Sequence, residues 1–520
     1  MSFVLYGFTA LGCLGLYFFF DKRRRGVPLP PAPPGLPFIG HLLRMPSVDS
    51  PLAFHEWAKT YGDVMRLEVL GRTMIILDSH ETAVDLLEKR GAIYSDRPEL
   101  TLYRALGWEP ALTFMHYGKQ FVKHRALHHS YLNPRRAEEF KVFQCEEGRT
   151  LARGLLQSSP DQYERCMRRF ATGIITRIVS GHKIADMNDP YLGMSNMVFE
   201  AMCKTGVPGN SPLDFFPILR HFPPWFPGAS HVGVVREWKP VIRELYEYSV
   251  RIVKEQRVRS SNFPFCRRQK RSQELGKAVP SFLQEQLESK DQSGTLDDDV
   301  KGAAATMFGA GEVTTWSAVA IFLLAIILHP EYQEKAQKEI DAVIGTQRLP
   351  DYGDRESLPM VEAILQETLR WRTGVPLGVP HRVMEDDVYR GMLIPKGAIV
   401  FANIRGMALD ESVYSDASSF YPERFLPKPT GRGEPYFNNT VFGFGRRICT
   451  GQHIAENSLW IAMVTILATC KITNAVDEKG NIIIPDAELF EGLVNHPKDI
   501  RCAISPRSPA AKTLIMDDDE

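Results

Sequence analysis

The sequence predicts a mainly α-helical protein with small β-sheets, built as a single large domain behind an N-terminal transmembrane helix. Three observations predict it. Residues 3–20 carry no charge. Helix-period apolar patterns then dominate, with only short β-like runs between them. Beyond a proline cluster near the start, neither a second linker nor an internal repeat divides the chain.

As a helix, residues 3–20 would span about 27 Å, close to the hydrocarbon thickness of an endoplasmic-reticulum bilayer. Lys22, Arg23, Arg24 and Arg25 follow at once, so the positive-inside rule leaves the rest of the chain in the cytosol. The rival, a cleaved signal peptide, lacks here a basic leading region and a small-x-small cleavage site. Residues 1–21 are therefore assigned as an anchor. Pro28, Pro30, Pro31, Pro33, Pro34 and Pro37, with Gly35, cannot form a helix, and 22–40 is assigned as a basic, proline-rich hinge. One domain is expected over 41–508, and an acidic flexible tail over 509–520 that ends in Asp517, Asp518, Asp519 and Glu520. The polar, basic segment 259–277 reads as exposed and mobile.

Within the domain, helices are expected over 51–61, 82–90, 137–157 and 330–344, and strands over 64–69, 73–77 and 398–402. Residues 302–328 are apolar apart from Glu312. A helix apolar all round either crosses a membrane or runs through a core. Glu312 and the pair Thr314 and Thr315 would be costly against lipid, which favours the core.

Composition excludes several function classes. Hydrophobic residues make up 44% and charged residues 24%, as in a globular protein with a sizeable core. Lys+Arg and Asp+Glu both total 62, so no global charge points to nucleic acid. The 8 cysteines are scattered and form no C-x-x-C pair, which argues against a disulfide framework or a zinc finger. Cysteine chemistry should rest on one residue.

That residue is Cys449. Residues 442–451 read FGFGRRICTG, matching F-x-x-G-x-R-x-C-x-G with Phe442, Gly445, Arg447, Cys449 and Gly451. A thiolate is a strongly donating ligand that pushes electron density through iron. Kept deprotonated while buried, it needs a metal and nearby backbone N–H donors. Gly445 and Gly451 would let the loop turn tightly, Arg447 could pair with a carboxylate, and Phe442 could shield the sulfur from water.

The segment resembles the heme-binding signature of the cytochrome P-450 superfamily. Residues 367–370, ETLR, resemble its E-x-x-R motif, and 422–425, PERF, its P-E-R-F element. A second E-x-x-R match at 146–149 shows how weak that motif is alone. The resemblance implies a P-450 fold, heme b with Cys449 as iron ligand, and a supporting charged network of Glu367, Arg370 and Arg424. The anchor and proline hinge are similar to those of microsomal members.

Residues 310–315, AGEVTT, resemble the family's oxygen-binding motif, which implies a small residue, Gly311, beside dioxygen and a hydroxyl, Thr314, steering protons. The sequence departs from the pattern: Val313 holds the acid's place, and the carboxylate is Glu312, about 100° away on a regular helix. Glu312 is expected either to serve as the relay acid or merely to pack. Phe121 and Arg125 resemble the W-x-x-x-R element, with Phe121 lacking the indole donor, and His381 occupies the place of another propionate partner.

The resemblance also places substrate-facing loops at about 99–114 and 202–232. The first carries Leu100, Leu102, Tyr103, Leu106, Trp108, Leu112 and Phe114, which suits a lipophilic substrate. In the second, Phe222, Trp225 and Phe226 suit membrane contact equally well. Stretches 90–97 and 387–396 are similar to basidiomycete members of natural-product pathways, so the expected substrate is a fungal secondary metabolite, a terpenoid before an aromatic or an alkaloid. The implied reaction is monooxygenation with O2 and NADPH-derived electrons. The implied partners are NADPH-cytochrome P-450 reductase and cytochrome b5, at an endoplasmic-reticulum membrane. Lys119, Lys123, Arg446 and Arg447 are the candidates for a basic docking face. A hydroperoxide isomerase or dehydratase of the same fold, and a non-catalytic heme-binding protein, are the alternatives.

Overall fold

The computed structural model describes residues 26–209, 211–262, 281–288 and 297–517. The expected anchor, the four basic residues behind it and most of 259–277 lie outside the described residues, as do 518–520. Helices of eight residues or more are α1 Ser50–Tyr61, α2 Lys119–Tyr131, α3 Pro134–Gln157, α4 Tyr163–Ser180, α5 Pro190–Thr205, α6 His231–Asn262, α7 Asp297–Leu328, α8 Pro330–Val343, α9 Pro359–Trp371, α10 Gln452–Thr469 and α11 Pro509–Met516. Local chemistry sets their ends. Asn133 caps α3 by accepting from Arg136 N, with Pro134 in the first turn, and Asp189 and Pro190 start α5 in the same way. Gly181 ends α4 at φ 69°, a conformation that favours glycine.

Four short strands form the main sheet: β1 Val64–Val69, β2 Arg72–Leu77, β3 His381–Arg382 and, after the hairpin β4 Asp387–Tyr389 and β5 Met392–Ile394, β6 Ile399–Ala402. Its order is β1-β2-β6-β3, with β2 and β6 parallel and the other pairs antiparallel. Near the C-terminus β7 Cys470–Val476 pairs with β8 Ile482–Ile483 and with β11 Cys502–Pro506, and β9 Leu489–Phe490 with β10 His496–Pro497.

Helix α7 runs through the middle of the domain, packed chiefly on α4 and also on α2, α6 and α10. It is long and apolar enough to cross a membrane, but its flanks are buried in protein. Only Ala310, Gly311, Thr314 and Ala318 interrupt the burial of residues 302–320, and their spacing places them on one stripe.

Three expectations change. The helix expected over 82–90 is an α-turn, His80–Ala83, continued by a π-helix, Val84–Lys89. The proline hinge is no free linker: Arg66 N donates to Pro31 O at 2.8 Å and Leu393 N to Pro28 O at 2.7 Å, so the domain's edge reaches back to residue 28. The expected flexible tail is, over Pro509–Met516, the helix α11; Ser508 caps it, and Ala511 and Ile515 are buried.

Candidate active site around Cys449

The backbone closes the cysteine loop before any side chain is considered. Cys449 N donates to Phe442 O at 2.8 Å, and the short helical turn Gly445–Arg447 lies inside that ring. Gly445 has φ +54°, and a Cβ there would lie 2.4 Å from Leu87 O in the π-helix, so no other residue fits. Gly451 differs from expectation: its φ is −95°, and a Cβ would meet only Cys449 Sγ at 3.9 Å, an ordinary contact. Its N–H is what matters, since it hydrogen-bonds the sulfur and, with the Arg125 guanidinium, opposes the upward push of burial on the thiol. The Cys449 side chain is nevertheless open to the recess in front of it.

Behind the loop, Glu367, Arg370 and Arg424 are 0% exposed. Arg370 donates Nε and Nη2 to the two Glu367 oxygens at 2.7 Å each, and Arg424 Nε reaches both at 3.1 Å. The remaining donors hold backbone: Arg370 Nη1 bonds Ala408 O and Ala417 O, and Arg424 Nη1 bonds Ser415 O and the Glu434 carboxylate. The network thus fixes 415–434, the segment leading into the cysteine loop. The second E-x-x-R match has no such setting; Glu146 sits half-exposed on α3, paired with Arg177.

At the rim, cations collect. Arg447 donates Nε to Ser95 O at 2.8 Å, Nη1 to Leu112 O at 3.1 Å and Nη2 to Met115 O at 2.7 Å. Its guanidinium stacks on the ring of Phe121, 3.8 Å from the centroid, which is what the phenyl at this position does in place of an indole donor. Arg125 Nη1 bonds Ile448 O at 2.5 Å, and His381 Nδ1 donates to Tyr94 O at 2.7 Å. Arg97, missed in the sequence, joins them: it is 4% exposed and bonds Thr113 O, Val379 O and Pro380 O. No local motif marks it, because its partners lie at 113, 379 and 380.

Burial holds all four groups below their ordinary values, Arg447 to about 9; Arg447 depresses Arg97 further, Arg125 depresses Arg447, and Arg97 and Arg447 both depress His381. Asp96 is the carboxylate that offsets Arg97 and Arg447, and it is shared with Arg382 and His116. A recess with a sulfur ligand, a small-residue helical stripe and a surplus of buried cations fits a porphyrin bearing two carboxylates.

The oxygen-side helix sorts the remaining expectations by face. Thr314 lies on the open stripe, its Oγ1 donating to Ala310 O at 2.8 Å. Glu312 does not. It is 1% exposed and 3.8 Å from Nη1 of Arg168 on α4. Arg168 is itself sandwiched between Phe199, 3.7 Å to the centroid, and Trp316, 4.4 Å. Burial pushes the Glu312 carboxyl up to about 7, with Arg168 pulling the other way. The helix is regular here, and the Glu312 carboxyl points toward Arg168 on α4, away from the open stripe. A Cβ at Gly311 would lie 2.9 Å from Ile175 Cδ1, so the glycine also permits the close approach of α4 and α7.

On the substrate side, residues 99–114 fold over α7. Leu112 N donates to Thr306 Oγ1 at 3.0 Å, the Tyr103 and Phe114 rings are 4.5 Å apart, and Trp108 reaches Gly309. Trp225, in the second loop, is 81% exposed. The expected basic face is reduced: Arg447 turns inward and Lys123 is paired with Asp299 at 2.6 Å, leaving Lys119 and Arg446 exposed.

Comparison with known proteins agrees with this geometry. The family model described as Cytochrome P450 matches residues 30–503. The chain is 37% identical to cytochrome P450 monooxygenase ARMGADRAFT_974139 of Armillaria gallica, over 96% of this chain and 95% of that protein. It is also 37% identical to cytochrome P450 monooxygenase claR of Ampulloclitocybe clavipes, over 98% of this chain and 92% of the relative. A zebra fish cytochrome P450 solved with abiraterone shares the fold, with a TM-score of 0.69 at 20% identity, covering 88% of this chain and 100% of the other. With the thiolate loop, the cation-lined recess and full-length relatives in agreement, the chain belongs to the cytochrome P450 family of monooxygenases.

Proposed function

We propose that the protein inserts one oxygen atom into a lipophilic small molecule, a fungal secondary metabolite and by preference a terpenoid, with Cys449 as the axial ligand of heme b. The observation that carries this is Cys449 open to a recess whose rim holds Arg97, Arg125, Arg447 and His381. When bound, the heme supplies the oxygen-activating chemistry, with electrons from NADPH delivered by a P-450 reductase or cytochrome b5. Arg97, Arg125 and Arg447 would hold the propionates, and His381 would add an Nε2–H to them only as the imidazolium, because the proton of the neutral ring sits on Nδ1 and is committed to Tyr94 O. Thr314 rests its proton on Ala310 O and so presents Oγ1 lone pairs to the open stripe, where the hydroxyl can accept and pass on a proton. The apolar cover from 99–114 keeps bulk water out and suits a substrate with few polar groups.

Membrane docking is supported by apolar side chains at one edge of the main sheet. Phe38 is 85% exposed and Trp225 81%, with Leu43 and Ile218 exposed as well. Residues 36–43 bond to β1 through Gly40 and His41, and Arg72 of β2 bonds Asp214 O and stacks on Phe215, so both segments flank the same hairpin. This fits an endoplasmic-reticulum enzyme with a cytosolic domain.

Cys449→Ser and Thr314→Ala test the reading together, with the reductase and a panel of terpenes and aromatics. The wild type should form product only with NADPH and O2; the serine variant should lose the long-wavelength carbonyl band of thiolate-ligated heme. Thr314→Ala should still consume NADPH while product falls on the order of tenfold or more. Product formed without NADPH would favour the hydroperoxide isomerase reading, and a retained band in Cys449→Ser would refute the ligand assignment.

A further inference from the structure

Helix α2 grips the cysteine loop on both sides of the ligand. Arg125 Nη1 bonds Ile448 O at 2.5 Å, the residue before Cys449. Three residues on, and so on the same helix face, His128 Nδ1 lies 3.1 Å from Thr450 Oγ1, the residue after it. The other ring nitrogen, Nε2, lies 3.1 Å from Ala303 O on α7. His128 is 1% exposed, so both contacts are made away from water.

The partners decide which atom carries the proton. A carbonyl only accepts, so Nε2 must be the N–H that donates to Ala303 O. In a neutral ring Nδ1 is then an acceptor, and the Thr450 hydroxyl must donate to it. A hydroxyl has one proton. With that proton directed at His128, Thr450 has none to offer the neighbouring sulfur, and hydrogen bonds to a thiolate weaken its donation to iron.

We propose that His128 is a positioning residue for Cys449: it ties the ligand loop to the oxygen-side helix and withholds the Thr450 proton from the sulfur. The inference rests on Cys449 being the heme ligand. Its own content is the bridge Ala303–His128–Thr450, which joins residues 175 and 322 positions from His128.

The test uses the purified holoprotein and two readouts besides turnover: the heme reduction potential, and the rate at which the thiolate-type carbonyl band is lost. His128→Leu removes the acceptor and frees the Thr450 proton, so the potential should rise and the band should decay about fivefold faster, the worth of one hydrogen bond. His128→Gln can still donate and accept, and should stay near the wild type in both. Thr450→Val has no proton to redirect, so it should not raise the potential, and His128→Leu in that background should raise it no further. A wild-type potential in His128→Leu, or the full rise reproduced by Thr450→Val, would overturn the proposal. If His128→Leu does not hold heme, His128→Phe, which keeps a ring but neither donates nor accepts, carries the same comparison. A wild type lacking the thiolate-type band would instead indicate failure of the ligand assignment itself.

Discussion

Glu312 and Thr314 are two residues apart on one regular helix and face opposite ways. The threonine hydroxyl lies on the open stripe, while the carboxyl lies 3.8 Å from Arg168 on the α4 side. The separation follows from helix geometry, because two residues advance the side chain by about 200°.

A pH dependence follows from that placement. Burial raises the Glu312 carboxyl from about 4.5 to about 7 in the folded protein. Below the lower value both folded and unfolded chains are protonated, and the full stability is present. As pH rises toward 7 the unfolded chain gives up its proton first, and folding loses up to about 3 kcal/mol before levelling off. Glu312→Gln should flatten the Tm profile across that window while changing coupled turnover less than about twofold. A tenfold fall in product per NADPH in this variant would return Glu312 to the proton path.

Gly311 tests the packing of α4 against α7. A Cβ here meets Ile175 Cδ1 at 2.9 Å and Cγ1 at 3.1 Å. Gly311→Val should lower stability by about 1–3 kcal/mol. Ile175→Ala, itself destabilising, should absorb part of that loss when the two are combined. The double-mutant cycle is read by thermal denaturation, and simple additivity would mean the glycine is needed for something other than Ile175.

The charged network behind the loop should tolerate no simplification. Arg370→Leu leaves the buried Glu367 with Arg424 as its one cation beside the Tyr421 N–H, and releases the carbonyls of Ala408 and Ala417, while Ser419 O keeps Arg424 Nη2. The expected loss is about 3–5 kcal/mol, together with heme retention, measured by denaturant titration and heme content. Arg370→Lys should fail as well, since one ammonium cannot span donors that a guanidinium fork serves.

What the sequence made legible was local. The loop 442–451, residues 367–370 and 422–425 are strings whose spacing carries the chemistry, whereas 302–328, apolar all round, marked a core helix without showing which stripe stays open. Residues that act through distant partners carried no signal of that kind. Arg97 meets carbonyls at 379 and 380, and His128 meets 303 and 450, so each looked like an ordinary side chain on its own segment. The α11 start was readable and missed: Ser508 followed by Pro509 is a capping signal, and the acidic end outweighed it. The π-helix at Val84–Lys89 has no sequence mark, because its extra residue is set by the Gly445 turn packed on it.

The three carbonyls held by Arg447 lie 352, 335 and 332 positions earlier in the chain. A ribosome has therefore released most of the polypeptide before the cradle for the cofactor's acidic edge can close. Loading of porphyrin is accordingly a late event in maturation, dependent on completion of the C-terminal quarter, and nascent chains halted before residue 447 should emerge colourless.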